Sequence, residues 1–161
     1  MTAPDREDLS VRTFRPTDES AFRRLNEAWI SKYFGLEAKD LQAFEDPMTK
    51  IVAKGGEIFI ATINETAVGC VALVKMSAGE YELAKMATDE RYQRRGIARS
   101  LMTAAIAWAR KHNATRLYLE TNHTLDAAIA LYKSSGFQLI PPQPSVYKRA
   151  DVFMELLLAK Q

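Results

Sequence analysis

The run with the clearest chemical potential in this chain is Gln93-Arg94-Arg95-Gly96-Ile97-Ala98, "QRRGIA". Two guanidinium groups stand beside a glycine, and apolar residues at helical spacing follow. A helix N-terminus leaves several N–H groups without intrahelical acceptors and carries about half a positive charge, so it attracts anions. Gly96 has no Cβ, so an anion can approach the backbone and φ is free. Arg94 and Arg95 can add charge-assisted, bidentate hydrogen bonds to phosphate oxygens. Together these features suit a pyrophosphate. The plain alternative is a solvated basic turn closed by glycine. The run is not a P-loop, because G-x-x-x-x-G-K-[ST] is absent, and not a dinucleotide fingerprint, because G-x-G-x-x-G is absent.

Other reactive residues are sparse. Cys70, the single cysteine, sits in the apolar run "AVGCVALV" and reads as a small core residue rather than a nucleophile. One cysteine allows no intrachain disulfide, which fits a reduced, cytoplasmic setting. His112 and His123 lie apart with no cysteine or carboxylate cluster, so no metal site is expected. The basic and acidic residues number 22 and 20, a net charge of +2, which gives no reason to invoke nucleic acid. Any positive site is therefore local. The acidic, polar start "MTAPDREDLS" predicts no signal peptide, and no apolar run approaches the roughly 20 residues that span a bilayer.

The elements that must position the basic run follow from the apolar periodicity. The 161 residues, 47% apolar and 26% charged, fit one globular domain over 1–161. "SVRTFR" (10–15) alternates as a strand. Phe22, Leu25, Trp29, Ile30 and Phe34 mark an amphipathic helix from Asp18 to about Phe34, stopped by Gly35. A short helix is expected over 37–46 and a turn over 48–53. Three antiparallel strands follow at 57–63, 67–76 and 81–88. The period then changes. A helix over 96–111, a strand over 116–122, a helix over 125–137 and a strand over 150–158 complete the chain, with one extra short strand at 138–140. The strand, helix and strand over 81–122 require a crossover, and so a mixed sheet.

In that setting "QRRGIA" resembles the [QR]-x-x-G-x-[GA] motif of the GNAT superfamily of acetyl-coenzyme-A-dependent N-acyltransferases. "AAIALYKSSGF" (127–137) resembles the second signature of that family, a helix ending A-x-x-L-Y-x-x-x-G-F. The order of elements matches as well, best over 57–158. The resemblance implies an α/β GNAT fold: a mixed, mostly antiparallel sheet with a splayed central pair of strands and helices on both faces. It implies acetyl-coenzyme A as co-substrate, with no metal. Backbone amides of Gln93, Arg94, Arg95, Gly96, Ile97 and Ala98 would wrap its pyrophosphate, with Arg99 and Ser100 starting the helix behind. Pantetheine would lie along Met86, Ala87 and Thr88, and the Met86 N–H would meet the acetyl carbonyl. Tyr132, the tyrosine of the second signature, would be the general acid at the coenzyme sulfur. Its alternative is an aromatic packed on the inner helix face. Glu82 lies eleven residues before Gln93, where a histone-acetyltransferase branch carries a glutamate base. Its alternatives are a solvent-facing strand carboxylate or a ligand for the substrate ammonium. Lys85, by alternation, is expected on the opposite strand face from Glu82 and structural. Asn122 would bond pantetheine, although relatives place that asparagine seven residues before the tyrosine, where this chain has Leu125; its alternative is a plain turn residue.

Acceptor pockets in this family use the first two helices and the late loop. Trp29, Tyr33 and Phe34 supply aromatics there, Glu37 can meet an ammonium, and Tyr147, Lys148 and Arg149 can meet a carboxylate. A free amino acid, small peptide or other zwitterionic amine would satisfy both. The plain alternative assigns Trp29 and Phe34 to the core, and Lys148 and Arg149 to a solvated loop. "YKRADVFMEL" (147–156) resembles the ending of a bacterial subgroup of small GNAT proteins, some fused to MarR-type regulators. Three readings stand: transfer to a small-molecule amine in a ternary complex, transfer to a protein or peptide lysine or N-terminus, and a catalytically silent coenzyme-A-binding sensor. The family resemblance also implies a possible homodimer through the C-terminal strands. Membrane and nucleic-acid partners are not expected.

Overall fold

A computed structural model describes residues 8–159. Most of the acidic N-terminal run, read above as carrying no signal peptide, lies outside them. The strands are β1 (Leu9–Thr13), β2 (Glu57–Ile63), β3 (Thr66–Ser77), β4 (Glu80–Thr88), β5 (Arg116–Thr121), β6 (Gln138–Ile140) and β7 (Val152–Leu157). The helices are α1 (Glu19–Tyr33), α2 (Ala38–Ala43), α3 (Ile97–Lys111) and α4 (Asp126–Ser134). The strands form one seven-stranded sheet in the order β1-β2-β3-β4-β5-β7-β6. β4 and β5, joined by the α3 crossover, pair in parallel, and the other neighbouring pairs described are antiparallel.

Alternation along the strands divides the core into two layers. Phe59, Val71, Leu73, Leu83, Leu117 and Leu119 pack with Leu101, Ala105 and Tyr132 of α3 and α4. Ile58, Ile60, Cys70 and Ala72 pack with Phe22, Leu25 and Phe44 from the α1 and α2 side. A Cβ on Gly69 would stand 2.7 Å from Ile97 Cγ2 and 3.1 Å from Leu101 Cδ1, so this glycine lets the start of α3 close onto β3.

The expected elements are all present; the helices are shorter than expected, while β3 and β4 run one residue further at one or both ends. The turn after α2 is a single wide turn over Met48–Val52. α1 starts at Glu19 because Asp18 is held in the preceding turn. Its carboxylate takes the Arg12 fork at 2.6 and 2.8 Å and the Arg15 N–H at 2.8 Å. α4 ends at Ser134 in a Schellman turn. Gly136, at φ 103°, gives its N–H to the Lys133 carbonyl, and the Phe137 N–H bonds the Tyr132 carbonyl at 3.0 Å. The L-Y-x-x-x-G-F pattern thus has a mechanical reason. Glycine supplies the left-handed turn, and buried Phe137 anchors the chain that fixes Tyr132.

One strand departs from simple alternation. Ala84 pairs with Ala72 and Ala87 pairs with Cys70, so Lys85 and Met86 together face Val71 alone. This is a β-bulge, with Lys85 at φ 58°. The expected opposition of Lys85 and Glu82 is thereby corrected. The bulge turns Lys85 to the α2 side, where its Nζ lies 5.9 Å from the Phe44 ring centroid and within electrostatic reach of Glu82.

Candidate active site

The parallel pairing of β4 and β5 extends only from Glu80–Arg116 to Glu82–Tyr118. Beyond that point the strands part, and the β4 edge from Leu83 to Thr88 loses its neighbour. A cleft of about 760 Å³ opens from this gap and runs to the start of α3. Met86, Ala87 and Thr88 line one side, Gln93 to Arg99 line the end, and Leu125 to Ala128 with Tyr132 line the other side. Gly96 adopts φ 73°, ψ 20° as N-cap of α3, and Arg94 is also left-handed at φ 62°. The first amide to find a carbonyl inside the helix is that of Ser100, which bonds Gly96 O at 2.9 Å. The amides of Ile97, Ala98 and Arg99 precede it, so helical geometry leaves them without intrahelical acceptors and directed out of the helix end. Such a cradle fits a pyrophosphate. No atom stands within 4 Å of a Cβ built on Gly96, so its backbone torsion, rather than crowding, calls for glycine here.

A second cavity, of about 130 Å³, lies on the α1 side of the gap. Trp29, Met86, Leu125 and Tyr132 line both spaces, so the two meet there. Tyr132 is 9% exposed, and among the described residues no group hydrogen-bonds its hydroxyl. Burial pushes its pKa up to about 12, so the phenol keeps its proton at neutral pH.

Two carboxylates face the second cavity. Glu82 and Tyr118 are register partners, and alternation places Glu120 on the same face as Tyr118. Burial first, then the charge of Glu120, raises Glu82 to about 6, against the opposing pull of Lys85. Glu120 accepts the Tyr118 hydroxyl at 3.0 Å and the Ser145 hydroxyl at 2.5 Å. The late loop closes the cavity. Arg149 forks onto Asp40 at 2.6 and 3.2 Å, and Asp40 also accepts the Glu37 N–H at 2.9 Å. Burial disfavours the Asp40 charge, but the Arg149 bonds and the Glu37 N–H prevail and hold its pKa below the ordinary value. Tyr147 stacks under Arg149 with 4.5 Å from guanidinium to centroid, and its hydroxyl accepts from Lys85 Nζ at 3.1 Å.

The residues expected at the site divide as follows. Met86 to Thr88 and Gln93 to Arg99 line the first cleft, and Ser100 lies one turn behind it. Glu82, Trp29, Phe34, Tyr147 and Arg149 line the second cavity. Tyr33, 46% exposed, borders the first cleft instead. Glu37 is exposed at the start of α2 and lines neither space, and the acidic partner of Arg149 is Asp40. Lys148 is exposed. Asn122 lines the second cavity with its side chain engaged, donating to Arg149 O at 2.7 Å and accepting from Thr124 N at 2.9 Å. Glu120, Lys85 and Asp40 were not anticipated as site residues. The alternation of "RLYLET" was the available signal for Glu120, whereas the bulge and the contact between α2 and the late loop left no local trace. Among the described residues no group of three or more His, Cys, Asp or Glu can hold a metal ion, and no helix is long and apolar enough to cross a membrane.

Residues 18–137 match the acetyltransferase (GNAT) family. The N-alpha-acetyltransferase RimI of Mycobacterium tuberculosis is 39% identical over 69 residues, 43% of this chain and 42% of that protein. The ribosomal protein bS18-alanine N-acetyltransferase of Escherichia coli is 34% identical over 80 residues, 50% of this chain and 54% of that protein. The chain thus spans about half the length of these curated relatives. A GNAT-family acetyltransferase from Staphylococcus aureus Mu50 superposes with TM-score 0.86 at 18% identity, over 94% of this chain and 100% of that one. The PaiA N-acetyltransferase of Thermoplasma acidophilum, in complex with coenzyme A, gives TM-score 0.75 at 15% identity, over 94% and 99%. These two likenesses are of fold. The family match runs from the turn before α1 through both signature motifs, and the chain belongs to the acetyltransferase (GNAT) family.

Proposed function

We propose that this chain transfers the acetyl group of acetyl-coenzyme A to the primary amine of a small zwitterionic acceptor, such as an amino acid or short peptide, by direct attack in a ternary complex. The observation that carries the reading is the meeting of the two spaces at Met86 and Tyr132, with Glu82 on the acceptor side. Acetyl-coenzyme A supplies an activated thioester. The amides at the start of α3 hold its pyrophosphate, and the open edge of β4 at Met86 to Thr88 holds pantetheine. The Met86 N–H bonds the acetyl oxygen, where a fixed donor stabilises developing negative charge. Glu82 takes the amine proton on a carboxylate oxygen, directly or through water. A pKa of about 6 leaves it mostly ionised at neutral pH and still basic enough for the task. Tyr132 delivers its phenolic proton to the sulfur that leaves.

The size and charge of the second cavity support the acceptor class. At about 130 Å³ it suits a small molecule or the end of a chain. Glu82 and Glu120 offer negative charge to an ammonium, and Lys85 offers positive charge to a carboxylate a short way along the same wall. Tyr147 uses one Lys85 donor, and an ammonium has three. A second reading, acetylation of a protein N-terminus, is favoured by the names of the relatives from Mycobacterium tuberculosis and Escherichia coli. Thiol release from acetyl-coenzyme A separates the two, using free amino acids, dipeptides and long peptides beginning with alanine. Turnover of amino acids or dipeptides supports the first reading, and turnover of long peptides alone transfers it to the second. No turnover with any amine, despite coenzyme binding by calorimetry, would leave a sensor.

A further inference from the structure

The bulge in β4 takes the peptide between Lys85 and Met86 out of the ladder with β3. A peptide released in this way needs another anchor, and the core side supplies one. The Cys70 thiol donates to the Lys85 carbonyl at 3.4 Å, and the Asn26 Nδ2 donates to the same sulfur at 3.4 Å. Asn26 is itself fixed, because Nδ2 also bonds the Phe22 carbonyl at 2.9 Å, one turn earlier in α1. Both side chains are buried, Asn26 at 2% and Cys70 at 0% exposure. Burial pushes the Cys70 thiol up to about 12, outweighing the pull of the nearby Ala87 N–H and Asn26 amide, so the sulfur stays a donor throughout the working pH range. A trans peptide points its C=O and N–H in opposite directions. With the Lys85 carbonyl turned toward β3, the Met86 N–H is turned away from β3, into the gap beside β5.

We infer that Cys70, braced by Asn26, is a positioning residue for acetyl transfer: its thiol fixes the Lys85–Met86 peptide so that the Met86 N–H points into the gap. The inference rests on the reading of that N–H as the donor to the acetyl oxygen. A thiol is a weak donor, so its contribution is directional. Removing one donor to a developing oxyanion costs roughly 100-fold or more in kcat, and misaiming it costs part of that, about tenfold.

The test is isotope-edited infrared spectroscopy of the full chain with acetyl-coenzyme A carrying carbon-13 at the acetyl carbonyl, without acceptor. The wild-type thioester band is expected below that of the free compound. In Cys70→Ala it returns most of the way to the free position and kcat falls about tenfold, while the Kd for coenzyme A is unchanged. Cys70→Ser, which keeps a donor, restores both. If Cys70→Ala does not fold, Cys70→Val fills the space without the donor and gives the same readout. A wild-type band at the free position overturns the role of Met86, and the inference with it. A shifted wild-type band that stays in place in the Ala and Val variants overturns the role of Cys70 alone, as does a Cys70→Ser variant no better than Cys70→Ala.

Discussion

Replacing Glu82 with Gln should lower activity and raise stability at the same time. Glu82 is raised from 4.5 to about 6. At about 1.36 kcal/mol per pH unit, that difference corresponds to about 2 kcal/mol. The sign follows from linkage. A carboxyl group whose folded pKa lies above its unfolded value contributes stability that is fully present below the unfolded value and is lost as pH rises through the folded one. Wild type therefore gives up about 2 kcal/mol between roughly pH 4 and pH 7 that Glu82→Gln, which carries no titrating group, retains. With a urea dependence of about 2 kcal/mol per molar, the variant's midpoint should exceed that of wild type by about 1 M at pH 7.5, and by little at pH 4.

Activity should move the other way. General-base catalysis contributes about 100- to 10,000-fold, so kcat/KM at pH 7.5 should fall by at least about 100-fold. The wild-type profile should rise through an inflection near 6, separate from the deprotonation of the acceptor itself at higher pH. Glu82→Gln should lack that inflection, and Glu120→Gln should move it to lower pH by removing the neighbouring negative charge. Urea titrations from pH 4 to 8, paired with kcat/KM over the same range, measure both effects. A stability difference that does not change with pH would refute the burial argument for Glu82. An inflection near 6 that survives in Glu82→Gln would refute its role as base.

Three further outcomes follow from the site. Tyr132→Phe keeps the ring against Phe137 and deletes the hydroxyl, so single-turnover kinetics should show kcat reduced by about 100-fold or more, with coenzyme affinity by calorimetry unchanged. Gly96→Ala places a Cβ on a residue at φ 73°, which costs roughly 1–2 kcal/mol and should weaken coenzyme A binding severalfold by calorimetry. Arg149→Met leaves the Asp40 carboxylate, 1% exposed, without its ion partner and should destabilise by about 3 kcal/mol in urea, with part of the loss recovered in the double variant Asp40→Asn, Arg149→Met. Because the Asp40 pKa is lowered, the contribution of this pair stands above the ordinary carboxylate value and fades as pH falls through the folded value.

What could be read from the sequence divides along a physical line. Features set by neighbouring residues were legible. Leu101, Ala105 and Ala109 recur at helical spacing, and all three are buried on the inner face of α3. "QRRGIA" predicted a glycine at a helix start, and Gly96 is a left-handed N-cap. Gly136 predicted the last turn of α4, and a Schellman turn forms there. The splay of β4 from β5 came from family resemblance and from nothing local, since it depends on which strands pair and for how long.

The acceptor side was read less well, because its residues are brought together by contacts distant in sequence. Alternation assigned Lys85 to the wrong face, since one bulge reverses parity for every later residue of the strand. No rule along β4 alone locates that bulge. It is closed from behind by Cys70, fifteen residues earlier, and Asn26, forty-four residues before Cys70. Glu37 was read as a group to meet an ammonium and Asp40 was not singled out, yet the Arg149 fork goes to Asp40 across a separation of 109 residues. Both cases concern polar groups that the fold had to satisfy. Cys70 shows why such groups escape a reading by residue type. Its burial fits a small apolar residue, and only its bond to the Lys85 carbonyl separates a core filler from a part that aims the backbone at the reaction.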